Sequence, residues 1–270
     1  MIQIQKNEFE KIVTAAASPT SGIFDSMPVY FARAEQVATE QYLGRETVEK
    51  ASPELLGALK KFICLYGFLL AIPSLDLVLT ETGFGVVSNQ NVAPASVDRV
   101  HNLTESLMTA SGHAIEQCVE LCRGTAWADT IQAKRFISRL IYCSDQLPLI
   151  AIHPATRAKL VEMTGKFSII ERSISMLISE ELRQRLLQGL RRNDLDEQEQ
   201  VLLVYLTEYY ASYLACMEMK QPIADWLKVP ILRFLDENLE HFEIYKNSLT
   251  YKARMSNPYE NRHDDTCYFF

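Results

Sequence analysis

The sequence predicts a mainly α protein: a helical bundle in two similar halves, with one projecting β-hairpin at about residues 75–90 and an extended C-terminal tail. Three observations predict it. Apolar residues recur at helical spacing through nearly the whole chain. Gly and Pro number only 10 each in 270 residues while 48% of residues are hydrophobic, a folded and helix-rich composition. The stretch 75–96 alone breaks the pattern, with Leu75, Leu77 and Leu79 at period two before a turn containing Gly83 and Gly85.

The elements follow in order. A short amphipathic helix is expected over 9–17. Asp25 or Ser26 can cap a helix over 28–43, in which Pro28 sits where its missing N–H is tolerated and which Gly44 ends. Ser52-Pro53-Glu54 starts the next helix, which Pro73 stops. Its run FICLYGFLLAIP is about a dozen residues, short of the roughly 20 that a membrane span needs, so it reads as a core helix and no membrane contact is expected. An isolated two-stranded hairpin is marginal in water, so the hairpin that follows needs a partner. Ser96 is suited to cap a helix with Val100, Leu103, Leu107, Ala110, Ala114, Cys118 and Leu121 on one stripe. Another helix is expected over 130–144, and Pro148 and Pro154 mark the connection after it.

The second half repeats this layout. A helix over 157–180 leads to a short one over 181–190, a polar spacer and an apolar helix over 197–219. Glu35 and Glu171 hold matching places at an offset of 136, and the apolar helices match at 144, so the second copy carries a short insertion. Duplication accounts for this, as do two independent uses of a common helix-pair pattern. The expected division is 1–150 for the first half with its hairpin, 151–250 for the second half and 251–270 for the tail. A helix over 231–249 precedes the tail, which lacks helical period and ends in Tyr268-Phe269-Phe270.

The net charge of −7 and pI near 5.4 argue against a nucleic-acid-binding domain, which is normally basic. The N-terminus lacks the apolar run of a signal peptide, and the six cysteines have no framework spacing, so they read as reduced thiols. Cys118 and Cys122 are spaced i, i+4, but no second pair completes a zinc set. Glu237 and His241 are spaced as a helix-surface pair, and His263-Asp264-Asp265 reads as solvated charge. Thr82-Gly83-Phe84-Gly85 is too short for a phosphate loop, and no nucleophile elbow is present. Tyr205, Tyr209, Tyr210 and Tyr213 lie at helical spacing, which favours interface packing over a ligand pocket. No catalytic residue, cofactor or metal ligand is assigned, and an enzyme is not expected.

The run LDLVLTETGFGVV from Leu75 and NVAPAS from Asn91, followed by a long helix, resembles a segment of proteins of tailed phages and prophages of gut bacteria. An apolar helix stands before it and a turn containing Trp127 after the next helix. Those relatives are small helical virion proteins that act as head–tail connectors, also called neck or ring adaptors. The resemblance spans about residues 20–220, with its sharp part near the hairpin, and leaves the tail unmatched. It implies a ring of copies beneath a portal protein, contacts with other neck or tail proteins, non-specific passage of DNA, and a place in the virion neck after assembly in host cytoplasm. The expected contact residues are Phe84, Val86, Val87, Asn89 and Asn91 on the hairpin, and Tyr259, Tyr268, Phe269 and Phe270 on the tail. Two other classes stay open: a helical ligand-binding protein or enzyme using the tyrosine stripe, and a host cytosolic scaffolding protein.

Overall fold

Long helices account for most of the chain. The computed structural model describes residues 2–14, 22–75, 77–80, 83–86 and 96–256. After α1 (Lys6–Ile12) and α2 (Ile23–Ser26), α3 (Pro28–Val37) runs without a break into a π-helical turn, Ala38–Leu43. Gly44 ends it at φ +81°, a conformation that costs glycine little. A short α4 (Arg45–Glu49) follows, and then α5 (Pro53–Leu75), whose first turn is capped by Ser52 Oγ accepting from Leu55 N at 3.2 Å. Neither Asp25 nor Ser26 caps α3; Met27 occupies that position and makes no side-chain cap bond. Helix α5 also continues one turn past the expected stop, with Pro73 inside it.

α5 is long and apolar enough to cross a membrane, yet it is a core helix here. Leu59, Phe62, Ile63, Cys64 and Phe68 are buried, and α5 packs most extensively on α6 (Val97–Cys122) and next on α3. A Cβ at Gly67 would lie 2.9 Å from the Phe31 ring, which is how closely α3 and α5 approach. Phe9 contacts the rings of Phe31 and Phe68 with centroids 5.4 and 6.0 Å away, which fixes α1 on this pair. The buried stripe of α6 is Leu107, Ala114, Ile115, Cys118, Val119 and Cys122; Leu121 is exposed, one position off the expected face. Ser96 stands at its N-cap without a side-chain cap bond. Between α5 and α6, β1 (Leu77–Thr80) and β2 (Gly83–Val86) pair antiparallel, Leu79 opposite Phe84 and Leu77 opposite Val86.

The helix expected over 130–144 is interrupted. After a 3₁₀ turn, Ala126–Asp129, α7 covers only Ile131–Phe136. Ile137, Leu140, Ile141 and Tyr142 are all buried, although the backbone leaves the helix at Ile137 and resumes as a 3₁₀ segment, Ser144–Ile150. Such a crossing survives only if its polar backbone groups find partners. Arg191 Nη1 donates to Ile137 O at 3.0 Å, and Leu140 N donates to Glu171 Oε1 at 2.8 Å. Tyr142 N and Cys143 N donate to Gln146 Oε1 at 2.8 and 3.1 Å, and Ser144 N donates to both Glu116 oxygens at 3.1 Å.

The second half contains α8 (Arg157–Glu162), α9 (Thr164–Ile178), α10 (Glu180–Arg192) and α11 (Glu197–Glu218). The expected helix over 157–180 therefore bends at Met163 and stops at Ser179. A 3₁₀ turn, Asp225–Lys228, and α12 (Val229–Glu237), α13 (Glu243–Lys246) and α14 (Leu249–Met255) complete the described chain. The single helix expected over 231–249 is thus three pieces.

The two halves agree at their irregular points. Met27 and Met163, both buried, sit at equivalent helix starts, and Phe31, Ala34, Glu35 and Ala38 match Phe167, Ile170, Glu171 and Ile174 at an offset of 136. The π turn adds one residue to the first copy, with Gly44 N bonding Thr39 O at 2.7 Å. The offset then becomes 135, and Gly44 (φ 81°, ψ 151°) matches Ser179 (φ 74°, ψ 152°). The longer α10 and its linker restore an offset of 144, at which the caps Ser52 and Asp196 coincide. Two unrelated helix pairs have no physical need to share a left-handed break and a bend at the same places.

Two stability outcomes follow from this geometry. Glu171→Ala leaves Leu140 N and the Tyr210 hydroxyl without their acceptor and takes from Arg183 Nη1 its partner, while Glu180 still holds the rest of the guanidinium, and urea unfolding should register a loss of about 2–4 kcal/mol; a loss below about 1 kcal/mol would show that the carboxylate is not what secures the crossing. Ser179→Gly should stabilise by about 1 kcal/mol, because strain of about 1–3 kcal/mol at its positive φ outweighs the few tenths lost with its cap bond to Leu182 N. The reverse change, Gly44→Ser, should destabilise in the same assay.

Candidate functional site

Two grooves occupy equivalent places in the two halves. The first, about 540 Å³, lies along α3 and α4; the second, about 500 Å³, lies along α9 and α10. Ala32, Glu35, Gln36 and Thr39 line one where Ser168, Glu171, Arg172 and Ser175 line the other. Beyond the helix break, Arg45 and Val48 correspond to Glu180 and Arg183. The helix pair positions all of them, so the sites inherit the repeat.

At the floor of each groove a carboxylate receives a backbone amide from a crossing segment. Ile2 N donates to Glu35 Oε2 at 2.8 Å, as Leu140 N does to Glu171. Each crossing segment leads into a capping box, Gln5 with Glu8 and Cys143 with Gln146. The walls, by contrast, differ in charge. The first groove presents Glu35, Glu40 and Glu49 against Arg45. The second presents Arg139, Arg172 and Arg183 against Glu171 and Glu180.

Charges in the second groove are partly tied down. Arg183 donates to Glu171 Oε2 at 2.8 Å and grips Glu180 through Nη2 at 2.7 Å and Nε at 2.9 Å. That grip, with added bonds from Ser175 and Gln184, holds the Glu180 carboxyl down to about 2. Burial pushes the Tyr210 hydroxyl well above its ordinary range, as does Glu171, which accepts its bond. Tyr210 therefore stays a neutral donor. Arg139 and Arg172 take part in no salt bridge among the described residues.

A third cavity, about 470 Å³, is lined partly by Leu55, Leu121, Cys122 and Trp127. Burial pushes the Cys122 thiol up to about 12, and those of Cys64, Cys118 and Cys143 likewise, so none supplies a thiolate at neutral pH. Cys118 and Cys122 are packed in the α6 core. Tyr209 and Tyr210 are buried in α11, the Tyr205 ring tilts against Phe234 with centroids 5.3 Å apart, and Tyr209 bonds Ser173 Oγ at 2.7 Å, so the tyrosine stripe packs in the core and between helices. His241 turns to Asp196 at 3.0 Å rather than to Glu237. Among the described residues no group of three or more His, Cys, Asp or Glu side chains is placed to hold a metal ion.

Of the contact residues expected from sequence, Phe84 and Val86 are placed on β2 by their backbone. Val87, Asn89, Asn91, Tyr259, Tyr268, Phe269 and Phe270 lie outside the described residues, as does most of the tail. The groove residues are the ones that sequence reasoning passed over. Part of their signal was present: reading the halves at the Glu35–Glu171 offset of 136 exposes Gln36 against Arg172, whereas Arg45 meets Glu180 only once the extra residue of the π turn shifts the offset to 135.

Residues 29–137 match a family of unknown function (DUF6712). No curated protein and no solved structure matches the chain.

Glu180 has its carboxyl pKa depressed on folding, so its stabilisation is present above the unfolded value near 4.3 and is lost as pH falls toward 2. It is half exposed, so Glu180→Gln should cost about 1 kcal/mol or less at pH 6, and this difference should shrink as pH falls below about 4 and vanish only below about 2 in matched denaturation curves.

Proposed function

We propose that this chain is a structural subunit of a tailed-phage neck: a head-to-tail connector or ring adaptor that assembles with copies of itself beneath a portal protein and lets DNA pass. The observation that carries the reading is the use made of the buried charges. Glu116, Glu171, Arg191 and Glu199 are the charged side chains buried among the described residues, and each is bonded to a backbone group or to a fixed partner. Active sites normally keep some perturbed group poised beside a cleft for a substrate. Here the four buried charged side chains hold the scaffold, which suits a component whose work is contact. The likeness of the segment around the hairpin to connector proteins supplies the setting, and contacts with other neck or tail proteins follow from it.

Electron microscopy of the purified protein, or of its parent particle, tests this directly. Rings or a density at the neck support the connector, and a compact monomer at every concentration overturns it. A small molecule retained on native mass spectrometry would favour a ligand-binding protein, and a gene set among non-viral neighbours would favour a host scaffold. Deleting residues 259–270 should reduce assembly while the far-ultraviolet circular dichroism stays that of the intact helical fold. Burial of one aromatic side chain contributes about 1.5–3 kcal/mol, so removing Tyr268, Phe269 and Phe270 should weaken association by at least tenfold. Unchanged assembly would remove the tail from the contact.

A further inference from the structure

The two grooves have the same construction and opposite charge. An isologous contact whose two-fold axis passes through one groove would set like against like, acidic rim on acidic rim or basic rim on basic rim, which is repulsive. A heterologous contact sets them against each other. On the acidic side Glu40 and Glu49 are exposed on the rim, and Val29 lies exposed on α3 one turn before the groove-lining Ala32. On the basic side Arg172 is exposed on α9 between Ile169 and Met176, which are 51% and 74% accessible. Arg139 stands beside it, half-buried and outside any salt bridge among the described residues. Exposed apolar side chains flanking an unpaired guanidinium are the composition of a protein contact rather than of a solvated face.

We propose that copies of this chain join head to tail, with the acidic groove of one copy against the basic groove of the next, through rims formed by Glu40 and Glu49 on one side and by Arg139 and Arg172 on the other. This deepens the assembly reading above and rests on it. Each joined pair leaves one acidic and one basic groove free, so the contact propagates until the rotation closes a ring. Duplication supplies the geometry, since two equivalent grooves on one chain become partners once their charges diverge. The occupant of each groove rim is thus a second copy of the chain.

Two double variants test the contact, Glu40→Gln/Glu49→Gln and Arg139→Gln/Arg172→Gln. Light scattering and sedimentation would follow them with the unaltered chain at about 0.05 M and about 0.5 M salt, where screening lengths differ severalfold. The unaltered chain should associate at low salt and loosen at high salt. Each double variant should associate about tenfold more weakly, the worth of two exposed charge pairs. An equimolar mixture should give one-to-one pairs that grow no further, because each variant retains a single intact groove. Circular dichroism and a melting curve check that the variants fold, and Arg172→Gln alone, at an exposed position, replaces the second variant if Arg139 proves structural.

A variant that associates like the unaltered chain overturns the proposal, and so does a mixture that stays monomeric. Rings that persist in both variants reject this contact while leaving the connector reading intact. An unaltered chain that is monomeric at low salt and shows no rings rejects both.

Discussion

A carboxylate buried at the junction of the two halves governs the middle of this molecule. Taking a charge out of water costs several kcal/mol unless it is paired and hydrogen-bonded where it lies. Glu171 meets that condition with Arg183 on one oxygen and the Leu140 amide and Tyr210 hydroxyl on the other. Through those bonds it ties α9 to α10, to α11 and to the crossing segment that enters from α7. Glu116 does similar work from α6, where it accepts from Ser144 and pairs with Arg157 at 3.3 Å. The apolar residues Ile137 and Leu140 can leave helical geometry and still be buried because their backbone is served by charged side chains brought from far along the chain. Hydrophobic burial drives the collapse, and these bonds decide which backbone path the collapsed chain takes.

The same logic recurs in the first half, where Glu35 accepts the Ile2 amide and the groove above it takes the same shape. The elements that repeat are those the backbone needs: the carboxylate, the buried face of the helix, and the left-handed stop. The elements that differ face water, where substitution costs little stability and changes what the surface attracts. Gln36 against Arg172 and Arg45 against Glu180 are such changes. A shared frame with different rims is how one construction can present two faces of different charge, and it joins the stability argument to the assembly argument. Around these grooves the remaining interior is mostly apolar, and the thiols of Cys64, Cys118, Cys122 and Cys143 and the Tyr210 phenol are held in their neutral forms by burial.

Much of this architecture was legible in the chain. Apolar period, the Pro28 start, the Gly44 stop, the Ser52 cap and the long apolar helix after it are local signals, and each acts through geometry within a few residues. The offset between Glu35 and Glu171 was legible too, because a repeat leaves matched residues at a fixed spacing. Other features were not. The break of the helix expected over 130–144 depends on partners that lie dozens of residues away, including Glu171 and Arg191, and no local pattern announces them. Pro73 inside the last turn of α5, and the three-piece run over 231–249, likewise reflect packing that outweighs a local rule. The grooves were hidden for a related reason: their residues are scattered in sequence and meet only when two helices and a crossing segment are assembled.

The sequence by itself determined the fold class, the alternation of helices and the net acidity of the chain, since these rest on periodicity and composition; the glycines expected in a turn, Gly83 and Gly85, lie on β2 instead. Only the tertiary structure decided where the buried carboxylates are neutralised, which backbone segment each one holds, and that the repeated groove carries opposite charge in the two halves. The physical reason is range. Helix period and capping act over one or two turns, whereas compensation of a buried charge and the sign of a surface rim depend on residues that folding alone makes neighbours.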